Sequence, residues 1–510
     1  MARVCKAISQ PALDAIWRNI ENLRPLMHLQ HCLKTETSAK RSSRMLTYTS
    51  RVRSLRIKTE DMPDEMFDDL WNATHSTDQQ RTYAFPVLRE LCLLQGPAGP
   101  HADVCQGTYL DLFASPSLLN LMLEEVSPPH RRAPLPSNSR FPLDILCRIC
   151  PHLEEIGFTT GLGVTPLYLK WAGCESDFLD TLIQFRSLRS VNISAPAELL
   201  CPGSTMIKKL STLRHLERLV LESFDEPSPS ICGTHAGLQE VATHRFESLQ
   251  ELCLTFPLSS FIASLRSLPR NCAIPRCNLT ITKSSSGEIS GCDIIDEITA
   301  RLSPSRLEMI CIEIRAPPPH PHMHEPSPIQ FDNHAIRKLL PFTRLSVVRL
   351  RPVSSSTITD SLCHDMSKAW PRLQEIQLPP WENVWRPFDF PEMATLWGVR
   401  EFAMNCPELK SLAMEVNGAG DDWDTRIEKE MKVGSDGDCQ EGAPVVPVAT
   451  QLTVLDLDGT LITCPRAVAP FLRWCFPKVR KVGYHIRGQA GFMMNRGRNL
   501  RQLPSFMEAC

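Results

Sequence analysis

One spacing recurs along nearly the whole chain and limits how it can fold. It consists of an apolar residue, two variable residues, an apolar residue, one variable residue and a third apolar residue. The last two apolar positions are two residues apart, as they are in a short β-strand with one buried face. Helix-like segments that end at a proline, such as 366–371 and 402–407, precede several copies. Each copy therefore predicts one strand, and the chain between copies predicts helices.

Twelve clear copies and one degenerate copy are present in the 510 residues. The clear copies are Val52/Leu55/Ile57, Leu88/Leu91/Leu93, Leu118/Leu121/Leu123, Leu153/Ile156/Phe158, Leu188/Val191/Ile193, Leu216/Leu219/Leu221, Leu249/Leu252/Leu254, Leu307/Ile310/Ile312, Leu345/Val348/Leu350, Leu373/Ile376/Leu378, Leu409/Leu412/Met414 and Leu452/Leu455/Leu457. The degenerate copy is Ile274/Cys277/Leu279. One unit cannot bury its apolar face alone, so consecutive units must stack. We expect an α/β leucine-rich-repeat solenoid, a curved parallel sheet with helices on its convex side; an ordinary α/β domain is the alternative.

Four segments interrupt the repeat, and we expect surface loops there. They are 127–138, 315–327, 352–360 and 417–447. The second contains three alternating histidines, His320, His322 and His324, separated by prolines that hold the chain extended. No fourth ligand is evident, so we expect no metal site.

Composition and charge favour a protein partner inside the cell. The formal net charge of -2 gives no electrostatic reason to expect nucleic acid or an anionic membrane. No signal peptide and no apolar run long enough to span a bilayer are apparent, so we expect a cytoplasmic or nuclear location. The 20 cysteines are scattered through apolar runs, which favours buried thiols over disulfides. Cys147 and Cys150 have no second pair with zinc-site spacing, and we expect no cofactor.

A candidate helix precedes the first repeat. Residues 4–20 read VCKAISQPALDAIWRNI, and Ala12, Ala15, Ile16 and Ile20 fit one helical stripe. The pattern alone predicts an amphipathic helix that caps the first repeat.

The same residues resemble the second half of an F-box, and are most similar to the F-box proteins with leucine-rich repeats of mushroom-type fungi. The segment 48–57, YTSRVRSLRI, resembles the first repeat of those proteins. The resemblance implies a Skp-type adaptor and a cullin as partners, with a protein substrate held on the repeats. It also implies candidate adaptor-binding residues, for each of which core packing is the alternative role. These residues are Val4, Cys5, Pro11, Leu13 and Trp17.

The F-box is expected to be truncated at its amino end. An F-box begins with a Leu-Pro-containing segment and a further helix, whereas Met1 lies just before Val4. Either the start codon is assigned too late, or ligase assembly has been lost. The expected organisation is a partial, all-α F-box, a linker, the repeat array and a basic tail or cap. Their spans are 1–30, 31–47, 48–475 and 476–510.

A second resemblance lies near the carboxyl end. The segment 452–462, LTVLDLDGTLI, resembles the first motif of haloacid-dehalogenase-type phosphatases. That resemblance implies Asp456 as nucleophile, Asp458 as general acid/base and a magnesium ion. Only 50 residues follow Thr460, which is too few for the rest of such an enzyme, and the segment is in register as the twelfth repeat. We expect a structural role for it.

These observations predict a non-enzymatic substrate-recognition subunit of a Skp/cullin/F-box ubiquitin ligase. The first alternative is a leucine-rich-repeat interaction scaffold without ligase coupling. The second and less favoured alternative is the phosphatase.

Overall fold

The computed structural model describes the chain in segments. They are 6–58, 61–75, 83–95, 110–125, 143–160, 175–194, 200, 206–223, 246–282, 290–315, 331–353, 358–378, 393–418, 451–462 and 465–486. Within these limits the chain divides into two compact units, Met1–Leu268 (unit 1) and Pro269–Cys510 (unit 2).

Unit 1 is an array of parallel strands with intervening helices. Its strands are β1 Asn19–Ile20, β2 Ser54–Lys58, β3 Glu90–Gln95, β4 Asn120–Glu125, β5 Glu155–Thr160, β6 Ser190–Ser194, β7 Arg218–Glu222 and β8 Glu251–Pro257. Its helices are α1 Lys6–Trp17, α2 Arg24–Cys32, α3 Ser38–Thr49, α4 Asp64–His75, α5 Leu143–Ile149, α6 Glu175–Leu182, α7 Met206–Leu210 and α8 Leu258–Ser267. Each strand pairs in parallel with the next one along the chain.

Unit 2 repeats the same arrangement. Its strands are β9 Arg276–Thr282, β10 Met309–Arg315, β11 Val347–Arg351, β12 Glu375–Leu378, β13 Ser411–Met414, β14 Asn417–Gly418, β15 Val454–Ile462 and β16 Lys481–Ile486. Its helices are α9 Gly291–Arg301, α10 Asn333–Arg337, α11 Asp360–Ala369, α12 Leu396–Asn405 and α13 Pro465–Cys475. Strands β9 to β13 pair in chain order, and β15 pairs in parallel with β13, β14 and β16.

The repeat pattern accounts for this register. The second apolar residue of each copy is aligned with its equivalent on the next strand, and all of them are buried. In unit 1 these residues are Leu55, Leu91, Leu121, Ile156, Val191, Leu219 and Leu252. In unit 2 they are Cys277, Ile310, Val348, Ile376, Leu412 and Leu455. All twelve clear copies and the degenerate copy form strands, so the predicted α/β leucine-rich-repeat fold is confirmed.

Proline ends three helices where the sequence predicted it. Helix α5 ends before Pro151, α11 before Pro371 and α12 before Pro407. A proline cannot donate the backbone hydrogen bond that would continue the helix, so the chain turns towards the next strand.

The loop predicted at 352–360 is wrong at its carboxyl end, because Asp360 begins helix α11. The Asp360 carboxylate accepts hydrogen bonds from the backbone N–H groups of Thr395 (2.7 Å) and Gly398 (3.0 Å), and from the Thr395 hydroxyl (2.7 Å). Thr395 in turn caps α12 by accepting from Trp397 N–H. One carboxylate therefore joins the amino-terminal ends of two successive helices.

Other expected loop and linker spans also contain regular structure. Arg315 ends β10, and Asn417–Gly418 form β14 instead of starting an insertion. Helix α3 lies largely within the expected linker 31–47, and β16 lies within the expected tail. Most residues of the four expected insertions, including the three histidines, lie outside the described residues. The insertion residues that are not described are 127–138, 316–327, 354–357 and 419–447.

The cysteines and the helices of the described residues bear on the expectations drawn from composition. No cysteine among them forms a disulfide. None of their helices combines the length and apolar character needed to cross a bilayer.

Truncating an aligned core residue should destabilise the fold far more than truncating its outward neighbour. Leu121→Ala removes a fully buried side chain of β4 and should lower the free energy of unfolding by about 2–5 kcal/mol in urea titrations. Asn120→Ala, on the opposite face of the same strand, should change it by less than about 0.5 kcal/mol. Equal losses in the two variants would contradict the assigned faces.

Gly398→Ala should destabilise the protein although alanine is the better helix former. A Cβ at residue 398 would lie 2.7 Å from Asp360 Oδ1 and 3.0 Å from Cys363 Sγ. Asp360 is held by its hydrogen bonds and Cys363 is fully buried, so neither can move freely. We expect a loss of about 1–3 kcal/mol in thermal or urea unfolding. Helix propensity alone would add about 1 kcal/mol of stability, so a more stable variant would contradict the close approach.

Candidate protein-binding faces

Alternate side chains of the strands point away from the core, so one face of the strands in each unit is open. In β4, Leu121 and Leu123 are buried, whereas Asn120, Met122 and Glu124 on the other face are only half-buried. The same alternation holds along β2, β8, β9 and β10. Two positions on the outward side, Gly157 of β5 and Val220 of β7, are themselves buried. We call the outward-facing residues of β2–β8 the strand face of unit 1, and those of β9–β13 and β15 the strand face of unit 2.

An uncharged row runs along the middle of the strand face of unit 1. Its members occupy the same register position on six successive strands, and we call them the central row. They are Cys92, Met122, Gly157, Asn192, Val220 and Cys253. A partner that lies across the strands would therefore meet mostly small or apolar side chains along this line.

Charged residues flank the central row on both sides. Carboxylates occur on each side of it, at Glu90, Glu155 and Glu251 before it and Glu124 and Glu222 after it. Two cations pair with members of this set: Arg56 with Glu124 at 3.2 Å, and Arg218 with Glu251 at 3.4 Å. The face thus has an apolar middle and a charged rim, the anatomy of many protein interfaces.

The side chain of Met122 lies over Gly157. A Cβ added at Gly157 would come within 2.2 Å of Met122 Sδ and 2.4 Å of Met122 Cε. The missing side chain therefore creates a notch that the methionine fills. Asn192 follows Gly157 in the register, and its buried Oδ1 has no hydrogen-bond partner among the described residues.

The half-buried thiol of Cys92 is not a nucleophile at neutral pH. Burial, reinforced by the nearby Glu124 carboxylate, raises the pKa of Cys92 to about 12. Its Sγ donates to Glu124 Oε1 at 3.5 Å. Because the thiolate is the reactive species, this cysteine is suited to packing rather than to chemistry.

On the strand face of unit 2, the polar side chains of β11 and β12 are paired with one another. Arg349 donates two hydrogen bonds of 2.7 Å to the Glu375 carboxylate, a fork that raises the pKa of Arg349. Gln377 donates to Glu375 and accepts from Arg351 at 2.9 Å. These side chains hold one another across β11 and β12.

The phosphatase-like motif lies on strand β15. Asp456 is exposed, and its register partners on the two flanking strands are Ala413 and Gly483, which carry no ionisable group. The side chain of Asp458 lies outside the described residues. No group of three or more potential metal ligands occurs in the part of the chain that the structure describes.

The candidate adaptor-binding residues have different environments. Val4 and Cys5 lie outside the described residues, Pro11 is exposed and Leu13 is half-buried. Trp17 is only 8% exposed and packs against Tyr48, with the ring centroids 5.1 Å apart and the rings tilted by 46°. The structure thus separates Trp17, which packs into the array, from Pro11 and Leu13.

Ile16 departs from the expected buried stripe of α1. The sequence placed it with Ile20, which is buried, but 63% of Ile16 is exposed. Helix α1 ends at Trp17, and Ile20 belongs to β1, so one helical periodicity does not extend over both residues. A large apolar side chain on this helix is therefore available for contact.

The fold and its two open strand faces define a leucine-rich-repeat protein. No family model matches the chain, and no curated protein matches it. Among solved structures, a chain from the crystal structure of the Rad7 and Elc1 complex in yeast is similar with a TM-score of 0.37 and 14% identity. The match covers 88% of this chain and 93% of that one.

Thiol reactivity should follow the raised pKa values. At pH 8, alkylation of folded protein should modify exposed Cys32 at least ~100-fold faster than Cys92 or Cys147, because burial raises the pKa of each of the latter two thiols to about 12. Peptide mass spectrometry after timed labelling measures each site. Unfolding in urea is the control and should equalise the rates. Similar rates in the folded protein would contradict the assigned environments.

Proposed function

We propose that this chain is the substrate-recognition subunit of a Skp/cullin/F-box ubiquitin ligase. It binds a protein substrate on its strand faces, contacts a Skp-type adaptor through α1, and performs no chemistry itself. The observation that carries the proposal is the strand face of unit 1, where an uncharged central row lies between charged rims.

Physical features of that face support protein binding. The outward side chains are released from core packing because the inward ones hold the strands in register. They can therefore vary without loss of the fold, as repeat proteins require for recognising different partners. An apolar middle supplies contact area, and a charged rim supplies orientation.

The exposed side of α1 supports an adaptor contact. Pro11 and Ile16 are exposed, and Leu13 is half-buried, while Trp17 anchors the helix on Tyr48. Exposed apolar groups on an anchored helix are typical of an interaction site. Together with the F-box resemblance, they make Pro11, Leu13 and Ile16 the residues that we assign to the adaptor.

A leucine-rich-repeat scaffold without ligase coupling is the second candidate. It is favoured by the contacts that tie α1 to the array, in which Arg51 donates to both Asp14 and Gln10 and Trp17 packs on Tyr48. In that case α1 is a cap for the first strands, and no adaptor is bound.

Adaptor binding separates these two candidates. The full chain should be tagged in its own cells and purified, and the proteins that accompany it should be identified by mass spectrometry. We expect a Skp-type adaptor and a cullin to copurify, and Ile16→Asp to reduce both at least ~10-fold, because a charge would be buried in an apolar contact.

Val87→Asp is the matched control for this experiment. Val87 is also an exposed aliphatic residue of unit 1, at 38%, but it lies away from α1 in the sequence and precedes β3. Val87→Asp should leave the amounts of copurified adaptor and cullin unchanged, and both Val87→Asp and Ile16→Asp should keep the wild-type melting temperature. The absence of adaptor and cullin from the wild-type sample would reject ligase coupling and leave the scaffold.

The phosphatase alternative has a separate test. Purified protein should show no magnesium-dependent hydrolysis of p-nitrophenyl phosphate above that of Asp456→Asn, because no group of three or more potential metal ligands occurs among the described residues. Hydrolysis that requires magnesium and disappears in Asp456→Asn would overturn the proposal that the chain is non-enzymatic.

A further inference from the structure

We infer that the strand face of unit 1 contains an anchor site at Gly157, which takes one apolar side chain of an extended, basic segment of the partner. Met122 covers this site and must swing away when the segment binds. The inference rests on the proposed binding of a protein partner to the strand face, and it specifies the chemistry of that partner.

The shape of the site comes from a glycine between two larger residues. In the register, Gly157 lies between Met122 on β4 and Asn192 on β6. Met122 Sδ and Cε occupy the position that a side chain at 157 would need. Methionine is unbranched and flexible, and Met122 lies on the open face, so its tip can rotate towards solvent. Displacing it leaves a notch with the size of a small aliphatic group.

Asn192, whose Cβ lies 3.8 Å from the position of an added Cβ at 157, carries a polar group without a partner in the described part of the chain. The Oδ1 atom of Asn192 is buried and accepts no hydrogen bond from any described residue. Leaving such an acceptor unpaired is unfavourable, so a donor that reaches it contributes to binding. An extended peptide presents backbone N–H groups beside each side chain that it inserts. The same segment can therefore fill the notch and donate to Asn192.

The surrounding charge selects a basic segment. Strands β3 to β6 contain no lysine or arginine, whereas Glu90, Glu124 and Glu155 lie on their outward face. Glu155 is two residues before Gly157 on β5, and Glu124 is two residues after Met122 on β4. Two residues along a parallel strand span about 6.6 Å, within reach of a lysine or arginine next to the anchor.

Arg56, the arginine on the strand next to β3, does not neutralise all of these carboxylates. Arg56 on β2 forms an ion pair with Glu124 at 3.2 Å, and leaves Glu90 and Glu155 to favour a cationic partner. On the strand face of unit 2, by contrast, Arg349 is neutralised by Glu375. Charge complementarity therefore favours a basic segment specifically at the notch in unit 1.

Binding of synthetic peptides to the full-length chain tests the inference. The probe is fluorescein-labelled Lys-Ser-Arg-Ser-Leu-Ser-Arg-Ser-Lys, and fluorescence anisotropy measures its Kd. Two matched peptides replace the central Leu by Gly, or every Lys and Arg by Glu. We expect the first peptide to bind at least ~10-fold more tightly than either of the others, and to weaken as salt is raised.

Substitutions on the strand face test the site itself. Gly157→Leu fills the notch and Asn192→Leu removes the acceptor, and each should weaken binding of the Leu-centred peptide at least ~10-fold. Met122→Ala removes the cover without filling the notch and should tighten binding about 3-fold. Arg148→Gln, at an exposed residue of helix α5 outside the strand face, is the control and should leave the Kd unchanged. Circular dichroism melts confirm that each variant is folded.

Several outcomes would overturn the inference. These are equal affinity for the Leu-centred and Gly-centred peptides, wild-type affinity in folded Gly157→Leu, weaker binding in Met122→Ala, and no binding of any peptide at about 1 mM. Should Gly157→Leu fail to fold, Asn192→Leu and Met122→Ala still decide the matter. The adaptor and the cullin should still copurify with Gly157→Leu, because this substitution fills the notch and leaves α1 unchanged. The anchor site can therefore fail its test while ligase coupling passes, and the reverse.

Discussion

The stacking of aligned aliphatic side chains from one strand to the next holds each unit together. Leu91, Leu121, Ile156 and Val191 occupy one register position on four successive strands, and each is buried against its neighbours. A parallel pair of strands has no stability of its own in water, so this burial must accompany the hydrogen-bond ladder. The helices between strands cover the same apolar side and complete the core.

Because the core uses only one face of the strands, the side chains of the opposite face are not needed for core packing. On strand β4, Leu121 is buried in the core, while Met122, the next residue, lies on the open face. The surface can therefore carry features that the core would not tolerate, such as a glycine notch or an asparagine oxygen without a partner. Such features contribute little to folding, and we propose that they take part in binding a partner.

The sequence predicted the strands better than it predicted the contacts between distant residues. A strand repeats its apolar spacing locally, so every copy from Val52 to Leu457 could be recognised. The role of Asp360 could not, because its carboxylate meets backbone groups 35 and 38 residues further on. The exposure of Ile16 and the cover that Met122 forms over Gly157 likewise depend on neighbours that no local periodicity records.

Site-specific photo-crosslinking tests the central claim, that the partner binds the strand face, most directly. A photoreactive amino acid would replace Asn120 on the strand face of unit 1 or the exposed Arg148 on helix α5 of the same unit. Irradiated cells that produce the full chain should yield a crosslinked partner from position 120 and none from position 148. Crosslinking from position 148 alone would contradict the account and move the binding surface to the helices.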